Sequence, residues 1–162
     1  MSDREINQAG AVDLLKEHFI RYLKYNISSL GLFEFGIDKS IFDLMIFNAH
    51  RQYFRGFEFK RTRRDFLNDI NKAKWVKYLE YCNTFTWVCP PEIIYPNEVI
   101  SPCGLLWINA DIEYKHWDGS SYIHKGNVWK RKPKGLKLSQ ESLNRILCLF
   151  VNRFKFRKDD FY

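Results

Sequence analysis

Between Ile41 and Phe66 the chain reads IFDLMIFNAHRQYFRGFEFKRTRRDF, two apolar runs about a polar tetrad and then a basic stretch. That pattern predicts a β-hairpin running into a helix. Folding it about Ala49-His50-Arg51-Gln52 sets Asn48 opposite Tyr53, Ile46 opposite Arg55, Met45 opposite Gly56 and Asp43 opposite Glu58. Alternation along the strands then turns Phe42, Leu44, Ile46, Phe57 and Phe59 to one face, the expected core. The other face carries Asp43, Glu58 and Lys60 as a small charged cluster. Gly56 falls beside it, and a glycine inside a strand marks close approach of a backbone or a ligand.

Helical spacing of Val12, Leu15, Phe19, Tyr22 and Leu23 predicts a first amphipathic helix over Ala11 to Tyr25. Leu30 to Gly36 reads as a connecting strand. After the hairpin, Thr62 is an N-cap with Asp65 three residues on, opening a helix whose Phe66, Ile70, Ala73, Val76 and Leu79 face the sheet. Thr84 to Val88 and Gly104 to Ile108 read as buried strands, so strand, helix and strand form a parallel crossover. Tyr114 to Lys125 is expected to be a hairpin about Asp118-Gly119, and Val128 to Leu138 a basic connection broken by Pro and Gly. Ser139 caps a last helix with the stripe Leu143, Ile146, Leu147, Phe150, Val151 and Phe154. Core packing explains the stripe, and a homodimer seam is the alternative.

Composition adds bounds. A single domain over residues 1–162 fits the length, and 46% hydrophobic with 17% aromatic residues suffices for a core. Lys and Arg number 26 against 19 Asp and Glu, a net +7 that favours a polyanionic partner. No apolar run reaches the roughly 18 residues of a membrane span, and Met1 to Gly10 lacks a signal-peptide core, so a soluble, cytoplasmic protein is expected. Cys82, Cys89, Cys103 and Cys148 form no CxxC pair, and His18, His50, His116 and His124 offer no ligand spacing. Buried free thiols are expected rather than zinc.

The chemistry therefore rests on the hairpin. Carboxylates paired across two strands lie roughly 5 Å apart and repel unless a cation lies between them, so Asp43 and Glu58 are the candidate metal ligands. Lys60 shares their face. Exposed basic groups follow: Arg61, Arg63, Arg64, Lys72, Lys74 and Lys77 make a flank suited to phosphates, and Lys130, Arg131, Lys132, Lys134 and Lys137 lie around Trp129. Glu34, on the preceding strand, is a further acid within reach of the cluster.

Asp, then Glu-x-Lys on the neighbouring strand, then a basic helix resembles the PD-(D/E)xK phosphodiesterase superfamily. Glu113-Tyr114-Lys115 repeats the tripeptide without a partner strand bearing an aspartate. A narrower resemblance is to MmcB-like DNA repair proteins, carried by Glu58-Phe59-Lys60, Arg64-Asp65-Phe66, Asp69, Lys74-Trp75, Tyr78-Leu79, Cys82 and the strand ending at Pro90; Asn83 stands where that family would have an aspartate. The resemblance covers the middle third of the chain and continues weakly into Pro102 to Asn109. It implies a restriction-endonuclease-like α/β fold, a mixed sheet flanked by helices, and metal-dependent hydrolysis of DNA. On that reading Asp43, Glu58 and the Phe59 carbonyl hold Mg²⁺ or Mn²⁺, and Lys60 is catalytic. The superfamily also implies Glu17 of the first helix as an added acid; a solvated Glu17 is the simpler reading. Two alternatives stand beside the nuclease: a catalytically silent nucleic-acid-binding module of the same fold, and a purely structural or protein-binding domain.

Overall fold

The computed structural model describes Glu17 and residues 28–156, the last three as helix backbone. The expected first helix lies outside them apart from Glu17, which is helical and exposed. β1 (Ser29–Ile37), β2 (Ser40–Asn48) and β3 (Tyr53–Phe59) form an antiparallel meander. α1 (Arg63–Asn71) and α2 (Lys74–Tyr78) cross to β4 (Thr84–Cys89), parallel to β3. A connection with a 3₁₀ turn, Pro96–Glu98, leads to β5 (Gly104–Lys115), parallel to β4. β6 (Ser121–Arg131) returns antiparallel, and α3 (Gln140–Phe156) closes the described chain. The six strands among the described residues lie in sequence order in one mixed sheet, so the fold is α/β. Among the described residues no helix is long and apolar enough to cross a membrane.

The hairpin register follows from its tip: Asn48 pairs with Tyr53, Ile46 with Arg55 and Met45 with Gly56. The two faces differ from expectation, because both are core. Leu44, Ile46, Phe57, Val88, Leu106 and Ile108 fill one face. Met45, Phe47, Phe54, Phe85, Trp87 and Leu105 fill the other, under Phe66, Tyr78, Ile146 and Phe150 of the helices. The charged cluster occupies only the end of that helix-covered face. Phe42 also belongs there, not with Leu44.

The reason lies in β1. Phe33 pairs with Leu44 and Phe35 with Phe42, but Glu34 between them has φ +51°. A non-glycine residue in the left-handed region resets the alternation, so Phe33 and Phe35 join opposite cores, and β2 bends with its partner. Arg153 of α3 donates to the Glu34 carbonyl at 2.6 Å and braces the bend. Gly56 is explained by the same event: a Cβ there would lie 2.5 Å from the Phe42 ring. The close approach is made by a side chain, not by a ligand.

Thr62 caps α1 as expected, accepting the Asp65 N–H at 3.2 Å. The single helix expected after it is broken at Ala73, whose φ is +49°. That break turns Ala73 and Val76 outward and brings Tyr78 into the core, where its ring stacks on Phe85 at 5.0 Å and meets Phe42 at 4.7 Å. Asn83 starts β4 by clamping two segments: its side chain accepts the Phe54 N–H at 2.8 Å and donates to the Leu136 carbonyl at 3.0 Å. An aspartate could not make the second bond, since an ionised carboxylate only accepts.

The segment from Val128 is strand as far as Arg131, not connection. In α3, Ile146 and Phe150 are buried, and Phe150 meets Phe35, Phe47 and Phe54 at 5.6 to 6.0 Å. Ile146 and Phe150 of the stripe thus pack on the chain's own sheet, whereas its Val151, like Leu149, is exposed; the Phe154 side chain lies outside the described residues. Cys82, Cys89 and Cys103 are buried free thiols, each pushed up by burial, and Cys148 is exposed.

Candidate functional site

A pocket of about 360 Å³ opens at the carboxyl end of β3, lined by Phe33, Glu34, Asp43, Glu58, Phe59, Lys60, Arg61 and Asp65. β2 supplies Asp43 and β3 supplies Glu58. Their ladder ends one step earlier, at Leu44 and Phe57, because the Asp43 carboxylate replaces a main-chain acceptor and takes the Phe59 N–H at 2.6 Å. Asp43 and Glu58 nevertheless share one pocket. Glu34 is exposed and lines the rim of the same pocket.

Glu58 and Lys60 are 9% and 5% exposed, so this is a buried charge cluster rather than a surface pair. Lys60 Nζ donates to Glu58 Oε1 at 3.1 Å and also bonds Asp69 Oδ2. Asp69, buried on α1, meets Lys74 Nζ at 3.6 Å through its other oxygen. Burial alone would push the Lys60 ammonium down, but Glu58 and Asp69 outweigh it and hold Lys60 above its ordinary range. Glu58 is pushed from 4.5 to about 7, chiefly by burial and next by Asp43, with Lys60 opposing. Its Oε2 is buried and has no hydrogen-bond partner.

Two members were not read from the sequence as part of the site. Asp69 was visible only as one residue of a family-like pattern, and its i, i+3 spacing from Phe66 gave the one hint that it turns inward. Tyr78 was hidden by the break at Ala73. Its hydroxyl donates to the Ile41 carbonyl at 3.1 Å and is pushed up by burial and by Glu58, Asp69 and Asp43.

The basic residues divide. Arg61 lines the pocket, and Arg64, Lys72, Lys74 and Lys77 are exposed on or beside α1 and α2. Arg63 is committed elsewhere: it grips both oxygens of Glu98, reaches the Ile93 carbonyl at 3.3 Å and lies 5.4 Å over the Tyr95 ring. It is a strut between α1 and the β4–β5 connection, not a free phosphate contact.

Among the described residues no three His, Cys, Asp or Glu side chains converge as a metal-binding group. The hard-oxygen set on offer is smaller, with Asp43, Glu58 and the Phe59 main chain at one pocket. It fits a divalent cation on two counts. Glu58 Oε2 has a free acceptor position, and burial together with the nearby Asp43 carboxylate pushes Glu58 up, a cost that a bound cation would relieve.

No family model matches the chain, and no curated protein does. A solved structure of a protein of unknown function from Silicibacter pomeroyi is similar, with a TM-score of 0.61 and 20% identity over 88% of each chain. At that identity the likeness shows a shared fold alone.

Proposed function

We propose that this protein is a metal-dependent DNA nuclease with a restriction-endonuclease-like fold, of the PD-(D/E)xK kind. The observation that carries the reading is the placement of Asp43, buried Glu58 with its unpartnered Oε2, and buried Lys60 in one pocket. A structural domain gains little from such a cluster, since buried carboxylates are costly unless compensated. Asp43, Glu58 and the Phe59 carbonyl would hold Mg²⁺ or Mn²⁺, which supplies a bound water of lowered pKa and charge neutralisation at a phosphate.

The chain's own residues do the positioning. Asp43 is fixed by the Phe59 N–H, which ties the β2 carboxylate to β3. Asp69 anchors Lys60 from α1, so the ammonium is held at a set place rather than left on a flexible stem. From there Lys60 can donate a proton or a hydrogen bond to oxygens entering the pocket, which stabilises charge developing on a phosphoryl group. Arg61 at the pocket and Arg64, Lys72 and Lys77 beyond it suit a phosphate backbone. A role in DNA repair follows only from the resemblance to MmcB-like proteins, and Leu149 and Val151 are the groups a second copy would meet in a dimer.

The engagement of Lys60 by both Glu58 and Asp69 favours a second reading, a nucleic-acid-binding module in which the triad is structural. One experiment separates the two. Labelled single-stranded, duplex and branched DNA is incubated with Mg²⁺, Mn²⁺ or EDTA, beside the Glu58→Ala variant. The nuclease reading expects cleavage that needs both metal and Glu58. Tight binding with no cleavage of any substrate in either metal would replace it with the binding module.

A further inference from the structure

β5 pairs with β4 through Gly104 to Trp107, then continues to Lys115 with β6 as its sole sheet neighbour among the described residues. Eight residues from Ile108 carry it about 26 Å further. Asn109, with φ +54°, marks the bulge at the root of this arm. Because β3, β4 and β5 are parallel, the arm leaves the sheet at the same carboxyl end that holds Glu58 and Lys60.

Beyond Ala110 no residue of the arm is buried. From Glu113 to Lys125 every residue is exposed, and Trp117 at the tip is 98% exposed. Yet one face is ordered as a row of rings: His124 stacks on Tyr114 at 4.9 Å, Tyr114 on Tyr122 at 5.3 Å, and Tyr122 meets His116 at 5.4 Å. The strand acids are kept off that face. Glu113 and Asp111 point the other way by alternation, and Asp111 is paired with Lys125. Asp118, in the turn, is bonded to the Ser120 N–H and hydroxyl at 2.9 and 2.7 Å. The arm's own exposed lysines are Lys115 and Lys125, whereas Lys132 and Lys134 lie past the other end of β6, where Arg131 pairs with Leu105.

Exposed, stacked rings with no carboxylate among them, on an arm at the end of the sheet that carries the pocket, match one ligand chemistry. We infer that the β5–β6 arm is a stacking platform for unpaired nucleobases, which would make the substrate of the proposed site a nucleic acid with a single-stranded region. This rests on the nucleic-acid reading above. Base stacking on aromatic side chains is sequence-tolerant, because every base presents a π-face. A phosphate-only surface would need no such row.

The test measures binding in EDTA, so that cleavage plays no part. The full chain, a Tyr114→Ala/Tyr122→Ala variant and a Tyr114→Phe/Tyr122→Phe variant are titrated with a fluorescent oligodeoxythymidylate and with its abasic counterpart of equal length. The native chain is expected to prefer the base-bearing strand. The alanine variant should lose about tenfold in affinity for that strand and nothing for the abasic one, and the phenylalanine variant should restore the loss. Equal binding of the two strands by the native chain would overturn the inference, as would an alanine variant that binds like the native chain. Base-selective binding by a chain that never cuts would support the arm while removing the nuclease; cutting with no preference for bases would do the reverse.

Discussion

Two hairpins of one sheet obey the same alternation and end up with opposite chemistry. β2–β3 lies inside the sheet, with β1 and β4 on either side and a core on each face, so its polar residues are forced into contact at the one end where the core stops. β5–β6 runs off the edge, and its side chains meet water on both faces beyond Ala110. Burial makes the first hairpin's charges expensive and therefore informative, and exposure leaves the second one's aromatics without a packing role. A carboxyl pushed up to about 7 and a row of exposed rings are thus the two departures from ordinary folding economy, and both lie toward one end of the sheet.

The sharpest way to break the contrast is at Glu58. If the site cuts DNA, Glu58→Ala or Asp43→Asn should lower metal-dependent cleavage by several orders of magnitude, as removal of a metal ligand does, whereas Tyr122→Ala in the arm should leave cleavage of a blunt duplex unchanged. Gel assays in Mg²⁺ read both.

Next in size are the stability effects. Phe54→Ala removes a ring with no exposure, stacked on Phe47 at 4.6 Å, and should cost about 3–5 kcal/mol. Tyr122→Ala, at 50% exposure, should stay within about 0.5 kcal/mol of the native chain. Lys60→Met leaves Glu58 and Asp69 buried without the cation they share, and should cost about 3–5 kcal/mol. Urea unfolding measures all three, and equal losses in the two hairpins would erase the distinction.

A smaller effect concerns pH. Burial and Asp43 favour the neutral form of Glu58, so its stabilising contribution is complete below its ordinary 4.5 and is lost as pH rises through about 7. In EDTA the native chain should weaken between about pH 5 and pH 8, and Glu58→Gln should be more stable than native at the upper end by about 1–3 kcal/mol, with little difference at the lower. Mg²⁺ should raise the native melting temperature at neutral pH and leave that of Glu58→Gln nearly unmoved. A native chain indifferent to Mg²⁺ across this range would argue against a metal at the pocket. Smallest is the cap on α1: Thr62→Ala should cost about 1 kcal/mol by thermal unfolding.

What the sequence determined by itself was local. The polar tetrad at 49–52 set the hairpin register, because a tight turn between apolar runs leaves few ways to pair them, and Thr62 and Ser139 marked helix starts through hydroxyls that satisfy free N–H groups. The neighbourhood of Asp43, Glu58 and Lys60 followed from that register. Tertiary structure decided the rest, since it depends on which surfaces meet. No local signal says that Glu34 adopts a left-handed conformation, that Phe42 therefore crosses to the helix side, or that Ala73 breaks a helix and turns Tyr78 toward the carboxylates. Nor could spacing show that Asp69 would reach back nine residues to hold Lys60, or that Glu98 would claim Arg63 from thirty-five residues away. Those contacts arise from packing between segments remote in the chain, where burial makes an unpaired charge costly enough to fix its partner.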